Sequence, residues 1–147
     1  MEIESLVARK EGQHFDRKSA RMKPENIVKP VIAFANADGG TLAIGIEDNG
    51  DITGTGYYGA YSLTDYLLAI KEGIKPKLKV TAKSLSYINK KAEEDEIYLI
   101  KVKPHPTSVV ESKEGIVYLR IGDKSMKQTP EQVAHLKQEM RKKKSFD

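Results

Sequence analysis

Apolar residues recur at two different spacings along this chain, and the alternation between them marks its elements. Ile3, Leu6 and Val7 have helical spacing and predict a short helix within Met1–Arg9. Gln13–Lys18 has one strong apolar residue, Phe15, and is expected to be a short strand. Ile27, Val28, Val31, Ile32, Phe34 and Ala35 fall at helical intervals, predicting a buried helix over Glu25–Ala37. Pro30 lies inside that pattern, either in the first turn or at a kink. Asn36 to Gly40 ends the helix, with glycines suited to a left-handed cap. Thr41–Glu47 is apolar and of strand length; Asp48-Asn49-Gly50 is a hairpin signal, with Asp51–Thr55 as the returning strand. After the loop Gly54–Tyr61, Ser62 or Thr64 caps a helix carrying Leu63, Tyr66, Leu67 and Ile70, which ends by Gly73.

The second half reads mostly at period two. In Lys77–Tyr87, Leu78, Val80 and Ala82 alternate with Lys77, Lys79, Thr81 and Lys83, which predicts a half-buried strand with a basic outer face. Asn89–Asp95 is a polar connection to a second strand, Ile97–Val102. Val109-Val110 and Ile116–Ile121 are expected to pair across the turn Ser112–Gly115. Thr129 then caps a helix with Pro130 at its first position and Gln132 completing a capping box; its stripe is Val133, Leu136 and Met140. The economical reading is one α+β domain over residues 1–136, with 137–147 a basic tail continuing the last helix.

Charge changes this picture only through its distribution. The 147 residues hold 25 Lys+Arg against 21 Asp+Glu, a net +4, with a pI near 9.1. Lys137–Lys144 alone carries five basic residues and one acid, so the body is neutral, with 20 of each sign. A basic pI therefore does not by itself establish a nucleic-acid partner. Zero Cys excludes disulfides, thiolate metal sites and cysteine nucleophiles. The apolar runs fall far short of the ~20 residues that cross a bilayer, and the N-terminus has no signal-peptide core. A cytoplasmic protein with no membrane partner is expected.

Candidate chemistry is mostly basic. Arg9, Lys10, Arg17, Lys18, Arg21 and Lys23 concentrate six positive groups within fifteen positions. With Lys77, Lys79, Lys83 and Arg120, they suit phosphate contacts, which give affinity without reading sequence. Tyr57, Tyr58 and Tyr61 either stack on unpaired bases or pack as lids. Gly39-Gly40 follows a helix and precedes a strand, the reverse of a phosphate-binding loop, and reads as cap and turn. His14, His105 and His135 are dispersed and propose no metal site.

FDRK at Phe15–Lys18, AFANADGGTLAIGIEDNGDITG at Ala33–Gly54 and YLRIGDKSMKQTPEQVAHL at Tyr118–Leu136 together resemble the Schlafen AlbA-type domain. That domain occurs in prokaryotic transcriptional regulators described as DNA-binding, and in the Schlafen proteins. The resemblance implies an Alba-like, Schlafen-core-like α+β fold, with a mixed β-sheet packed with helices, and DNA or RNA as partner. It makes a DNA-binding regulatory domain the first reading. Some Schlafen members are RNA endonucleases that use an acidic cluster and a divalent metal; carried over to this chain, the cluster is Glu11, Asp16 and Asp48, with Lys18 beside the phosphate. Asp16 stands where those members have a glutamate, one methylene longer. The alternative reading is therefore a Mg²⁺- or Mn²⁺-dependent endoribonuclease; the binding reading needs no cofactor. A third reading is a protein-interaction domain whose last helix pairs with a partner or a second copy, making a homodimer.

Overall fold

The computed structural model describes residues 3–146; Met1 and Glu2 of the predicted first helix, and Asp147, lie outside the described residues. Helix α1 (Ile3–Ala8) and strand β1 (Phe15–Lys18) form as their patterns predict. The helix expected over Glu25–Ala37 divides into a 3-10 turn, Pro24–Ile27, and α2, Val28–Ala35. Pro30 is the third residue of α2, within its first turn, where a missing N–H costs little. Strand β2 is Gly40–Ile44, and α3, Leu63–Gly73, starts from a capping box between Ser62 and Asp65. The short β3, Ile74–Lys75, precedes the long pair β4 (Val80–Ile88) and β5 (Glu94–Val102). Strands β6 (Glu111–Ser112), β7 (Tyr118–Ile121) and β8 (Lys124–Lys127) lead to α4, Pro130–Phe146. Thr129 and Gln132 exchange the two predicted capping bonds, 3.2 and 2.8 Å.

The principal sheet has the order β1-β2-β5-β4, with β1 parallel to β2 and the other pairs antiparallel. It is the mixed sheet of an α+β domain. One face carries the larger core, where Leu42, Ile44 and Ile100 meet Val31, Ile32 and Phe34 of α2 and Tyr66 and Ile70 of α3. On the other face Phe15, Ala43, Ile97 and Leu99 pack with Leu6 of α1. Six residues of helix cannot span four strands, so much of that second face stays open. None of the described helices is long and apolar enough to cross a membrane.

Two expected pairings change. The return strand Asp51–Thr55 is reduced to one bridge, Ile46 to Ile52. Gly45, at φ +114°, turns the chain out of the ladder, and its carbonyl accepts from the N–H groups of both Thr53 and Gly54. The antiparallel neighbour of β2 is β5 instead. The turn at Ser112–Gly115 forms, with the Gly115 N–H on the Ser112 carbonyl at 2.8 Å, but its flanks do not pair as one hairpin. Asn36 explains this: its amide donates to the Val110 and Tyr118 carbonyls at 2.8 and 2.9 Å, and its oxygen accepts from the Val110 N–H at 2.7 Å. The backbone groups a hairpin would use are thus taken by a side chain. Strand β6 joins β3, and β7 pairs with the unpredicted β8.

The strand expected from Lys77 begins only at Val80. Val80 lies opposite Val102, the last residue of β5, so the segment before it has no ladder partner. Lys77 and Lys79 therefore lie in an irregular segment, while Thr81 and Lys83 keep their exposed places on β4.

Candidate nucleic-acid interface

Alternation along β1 places Phe15 and Arg17 on the α1 face, and Asp16 and Lys18 on the opposite one. Asp16 is 2% exposed, and its Oδ2 meets Nη1 of Arg120 at 3.1 Å and Nζ of Lys18 at 3.5 Å. Arg120 is itself 3% exposed. Its guanidinium also donates to the carbonyls of Gly12 (3.0 Å) and Phe15 (3.1 Å) and to Ser125 Oγ (3.1 Å), and lies 4.8 Å from the Phe34 ring centre. Arg120 was expected on the surface, touching phosphate. The structure corrects this: its donors are used inside the protein, fastening the β7–β8 hairpin to β1.

Glu11 joins this cluster. Its carboxyl hydrogen-bonds to that of Asp16, and both accept from the Arg17 N–H, at 3.4 and 2.8 Å. Burial, the Asp16 hydrogen bond and the Asp16 charge together push Glu11 from its ordinary 4.5 up to about 7. Folding therefore holds a proton on Glu11 where the unfolded chain has lost it. This contribution to stability is complete below about pH 4.5 and is lost as pH rises through about 7. Glu11→Gln is expected to gain on wild type in urea midpoint across that window, with the difference level above it. Parallel curves from pH 4 to 8 would disprove the shared proton.

The third carboxylate does not gather with these two. Asp48 is exposed at the turn, and what it contributes to this region is its backbone carbonyl, which accepts from Nη2 of Arg17 at 3.1 Å. Among the described residues no three His, Asp or Glu side chains are grouped to hold a cation. A divalent ion at Asp16 would also compete with Arg120 and Lys18 for the same oxygen, so these residues do not fit the three-carboxylate metal site expected under the nuclease reading.

Several expected phosphate contacts are likewise engaged within the protein. Arg17 spans from the Val7 carbonyl to that of Asp48, and Arg9 lies 4.6 Å from the Phe15 ring centre. Arg21 stacks on Tyr57 at 4.5 Å, and Lys10 is exposed. Tyr57 and Tyr61 pack against the larger core, while Tyr58 is fully exposed.

A different basic surface assembles at the open end of the β4–β5 pair. Lys71 from the end of α3, Lys77 and Lys79, and Lys101 and Lys103 line one groove of about 730 Å³. A second groove of about 300 Å³ adds Lys83, and the two share Thr81 and Lys101. All six lysines are exposed, and none forms an ion pair among the described residues. Among the described residues no acidic side chain lines either groove. At the far end of the same strands Lys90 and Lys91 are interspersed with Glu93 and Glu94, so that tip is balanced. Sequence reasoning found Lys77, Lys79 and Lys83 but missed Lys71, Lys101 and Lys103. The only signal was the alternation of Lys101 and Lys103 around buried Val102, which becomes meaningful once Thr81 is known to sit opposite Lys101.

Comparison with known proteins agrees with this fold. Among solved structures, the DIP2311 protein from Corynebacterium diphtheriae matches with a TM-score of 0.61 at 20% identity, over 86% of this chain and 25% of that one. The chain thus corresponds to about a quarter of that protein's solved length, and the likeness is one of fold. No curated protein matches the chain. Residues 11–129, from the Glu11 cluster to the α4 cap, match the family model described as Schlafen, AlbA_2. The chain belongs to the Schlafen AlbA_2 family.

Proposed function

We propose that this domain binds nucleic acid through lysine–phosphate contacts and holds it without cutting it, as the DNA-binding part of a regulator. Membership of the family supports a nucleic-acid-related role. The observation that carries the reading is the set of six exposed lysines whose grooves no acidic side chain lines among the described residues. Six uncompensated ammonium groups repel one another and attract a polyanion, whose bound counterions are released on contact. The acidic cluster speaks for binding over cleavage, because Asp16 is neutralised by Arg120 and Lys18 and the Asp48 side chain stands apart.

Fluorescence anisotropy with labelled nucleic acid tests this. Affinity is expected to fall by about 10³ between 50 and 200 mM salt if all six lysines meet phosphates. Affinity that does not change with salt would remove the electrostatic account. With Mg²⁺ or Mn²⁺ added, the nucleic acid is expected to stay intact. Cleavage that Asp48→Ala abolishes would replace this reading with the nuclease.

A further inference from the structure

We propose that the outer edge of β4 pairs antiparallel with β4 of a second copy, joining two four-stranded sheets into one. β4 is an edge strand of nine residues, and among the described residues no other segment hydrogen-bonds to its outer side through the backbone. Exposed edges are ordinarily blunted by Pro, a bulge, shortness or clustered charge. Val80–Ile88 contains no Pro or Gly, and its register with β5 runs unbroken from Val80–Val102 to Ile88–Glu94. Its one charged residue is Lys83. A long, regular edge of this kind is a template for another strand. The sheet's other edge is closed: β1 has four residues, its Phe15 carbonyl accepts from Gly12 and Arg120, and its Arg17 N–H is held by Glu11 and Asp16. What matches β4 in length is therefore β4 itself, and a two-fold pairing closes without propagating.

The hairpin fixes which groups face that edge. The Asn89 N–H donates to the Glu93 carbonyl at 2.9 Å, so these opposed residues form a hydrogen-bonded pair. Hydrogen-bonded and open pairs alternate along an antiparallel ladder, so Thr81, Lys83, Leu85 and Tyr87 bond inward to β5. Val80, Ala82, Ser84, Ser86 and Ile88 then turn their N–H and C=O groups outward. Glu96 agrees: it lies opposite Ser86, and its carbonyl accepts from Thr55, away from β4. A two-fold axis at Ser84 sets the outward residues of the two copies against each other. Ser84 meets Ser84 of the second copy, Ala82 meets its Ser86, and Val80 meets its Ile88. Every outward backbone group gains a partner, and Ile88, 68% exposed, gains an apolar neighbour. Lys83 selects this register, because it falls opposite Leu85, whereas an axis at Lys83 would oppose two ammonium groups. Cross-strand partners share a face, so Thr81 and Lys83 of both copies lie on one side of the joined sheet, where each smaller lysine groove opens.

The pairing needs no nucleic acid, so its failure would leave the binding reading in place. Sedimentation equilibrium of the full chain alone, from about 1 to 100 µM, tests it. The mass is expected to rise with concentration from 16.4 kDa towards twice that value. The chain has no Cys, so Ser84→Cys introduces a single thiol at an exposed position on the two-fold axis. Diamide, which takes up the two thiol hydrogens, is expected to link it into a covalent dimer, because the paired Cα atoms lie about 5.5 Å apart. Ser86→Cys lies about 14 Å from its counterpart and is expected to stay unlinked. Ser84→Lys opposes two ammonium groups and is expected to weaken the dimer about fivefold, with an unchanged circular dichroism spectrum. An equimolar mixture of Ser84→Lys and Ser84→Glu is expected to pair more tightly than either variant with itself. A mass of 16.4 kDa at every concentration, equal linking of the two Cys variants, or a dimer indifferent to Ser84→Lys, as contact through α4 would give, would each overturn the inference.

Discussion

Arg120→Met is expected to destabilise the domain by about 3–5 kcal/mol, because it leaves a carboxylate buried without its principal counter-charge. Asp16 is 2% exposed, and with Arg120 gone its Oδ2 keeps Lys18 alone, at 3.5 Å. The Gly12 carbonyl and the Ser125 hydroxyl lose the guanidinium donor in the same step, and the Phe15 carbonyl keeps only the Gly12 N–H. Against a total stability of roughly 5–15 kcal/mol for such a domain, the loss is a large fraction. The cost is that of breaking the pair, since a buried ion pair adds little over apolar residues of the same shape. Asp16→Leu combined with Arg120→Met should therefore lose less than the two single changes summed. Arg120→Lys should not restore stability, because an ammonium cannot reach four separated acceptors as the guanidinium fork does. Urea denaturation of the four variants provides the check. A loss below about 1 kcal/mol for Arg120→Met would show that water or Lys18 compensates Asp16, and that the cluster is not the fastening described here.

The second large effect is expected at Gly39→Ala, about 2–4 kcal/mol. Gly39 has φ +79°, and a Cβ there would lie 2.6 Å from the Val102 carbonyl oxygen and 3.0 Å from Pro104 Cδ. Neither neighbour can yield cheaply, because Val102 is held between Gly40 of β2 and Val80 of β4. Gly115 is the control: its φ is +89° with nothing within 4 Å, so Gly115→Ala should show left-handed strain alone, about 1 kcal/mol. Equal losses at the two positions would mean that the close approach to β5 contributes nothing. The result bears on function because Val102 separates Lys101 from Lys103, so distortion at the end of β5 displaces two of the six lysines.

Both predictions concern motif residues that serve the scaffold. Arg120 in YLRIG, Asn36 in AFAN and Gly39 after it all make contacts that hold distant segments together. This is why the motifs reveal family membership more clearly than they reveal a site. Glu11, Asp16 and Lys18 lie together because one short strand and the turn before it carry them. Asp48 was expected with them and stands apart. Its turn is attached to β1 through a backbone carbonyl on Arg17, leaving the carboxylate to solvent.

What the sequence determined by itself was local: where much of the chain turns helical or extended, and which residues open the last helix. Helical spacing placed α1, α2, α3 and α4, with Thr129 marking the start of α4 and Ser62 or Thr64 that of α3, where the structure selects Ser62. Period and capping depend on neighbours within a few residues, so they can be read along the chain. Tertiary structure decided the partners. Periodicity shows that β2 has a buried face but not that β5, more than fifty residues on, rather than Asp51–Thr55, lies beside it. Nor does it show that Arg120 lies inside against Asp16, 104 residues away in the chain. The basic surface has the same origin: antiparallel register sets Lys101 beside Thr81, and the end of α3 brings Lys71 to the groove. A patch of charge spanning three elements exists only once strand order and register are set, and these follow from burial competing across the whole molecule.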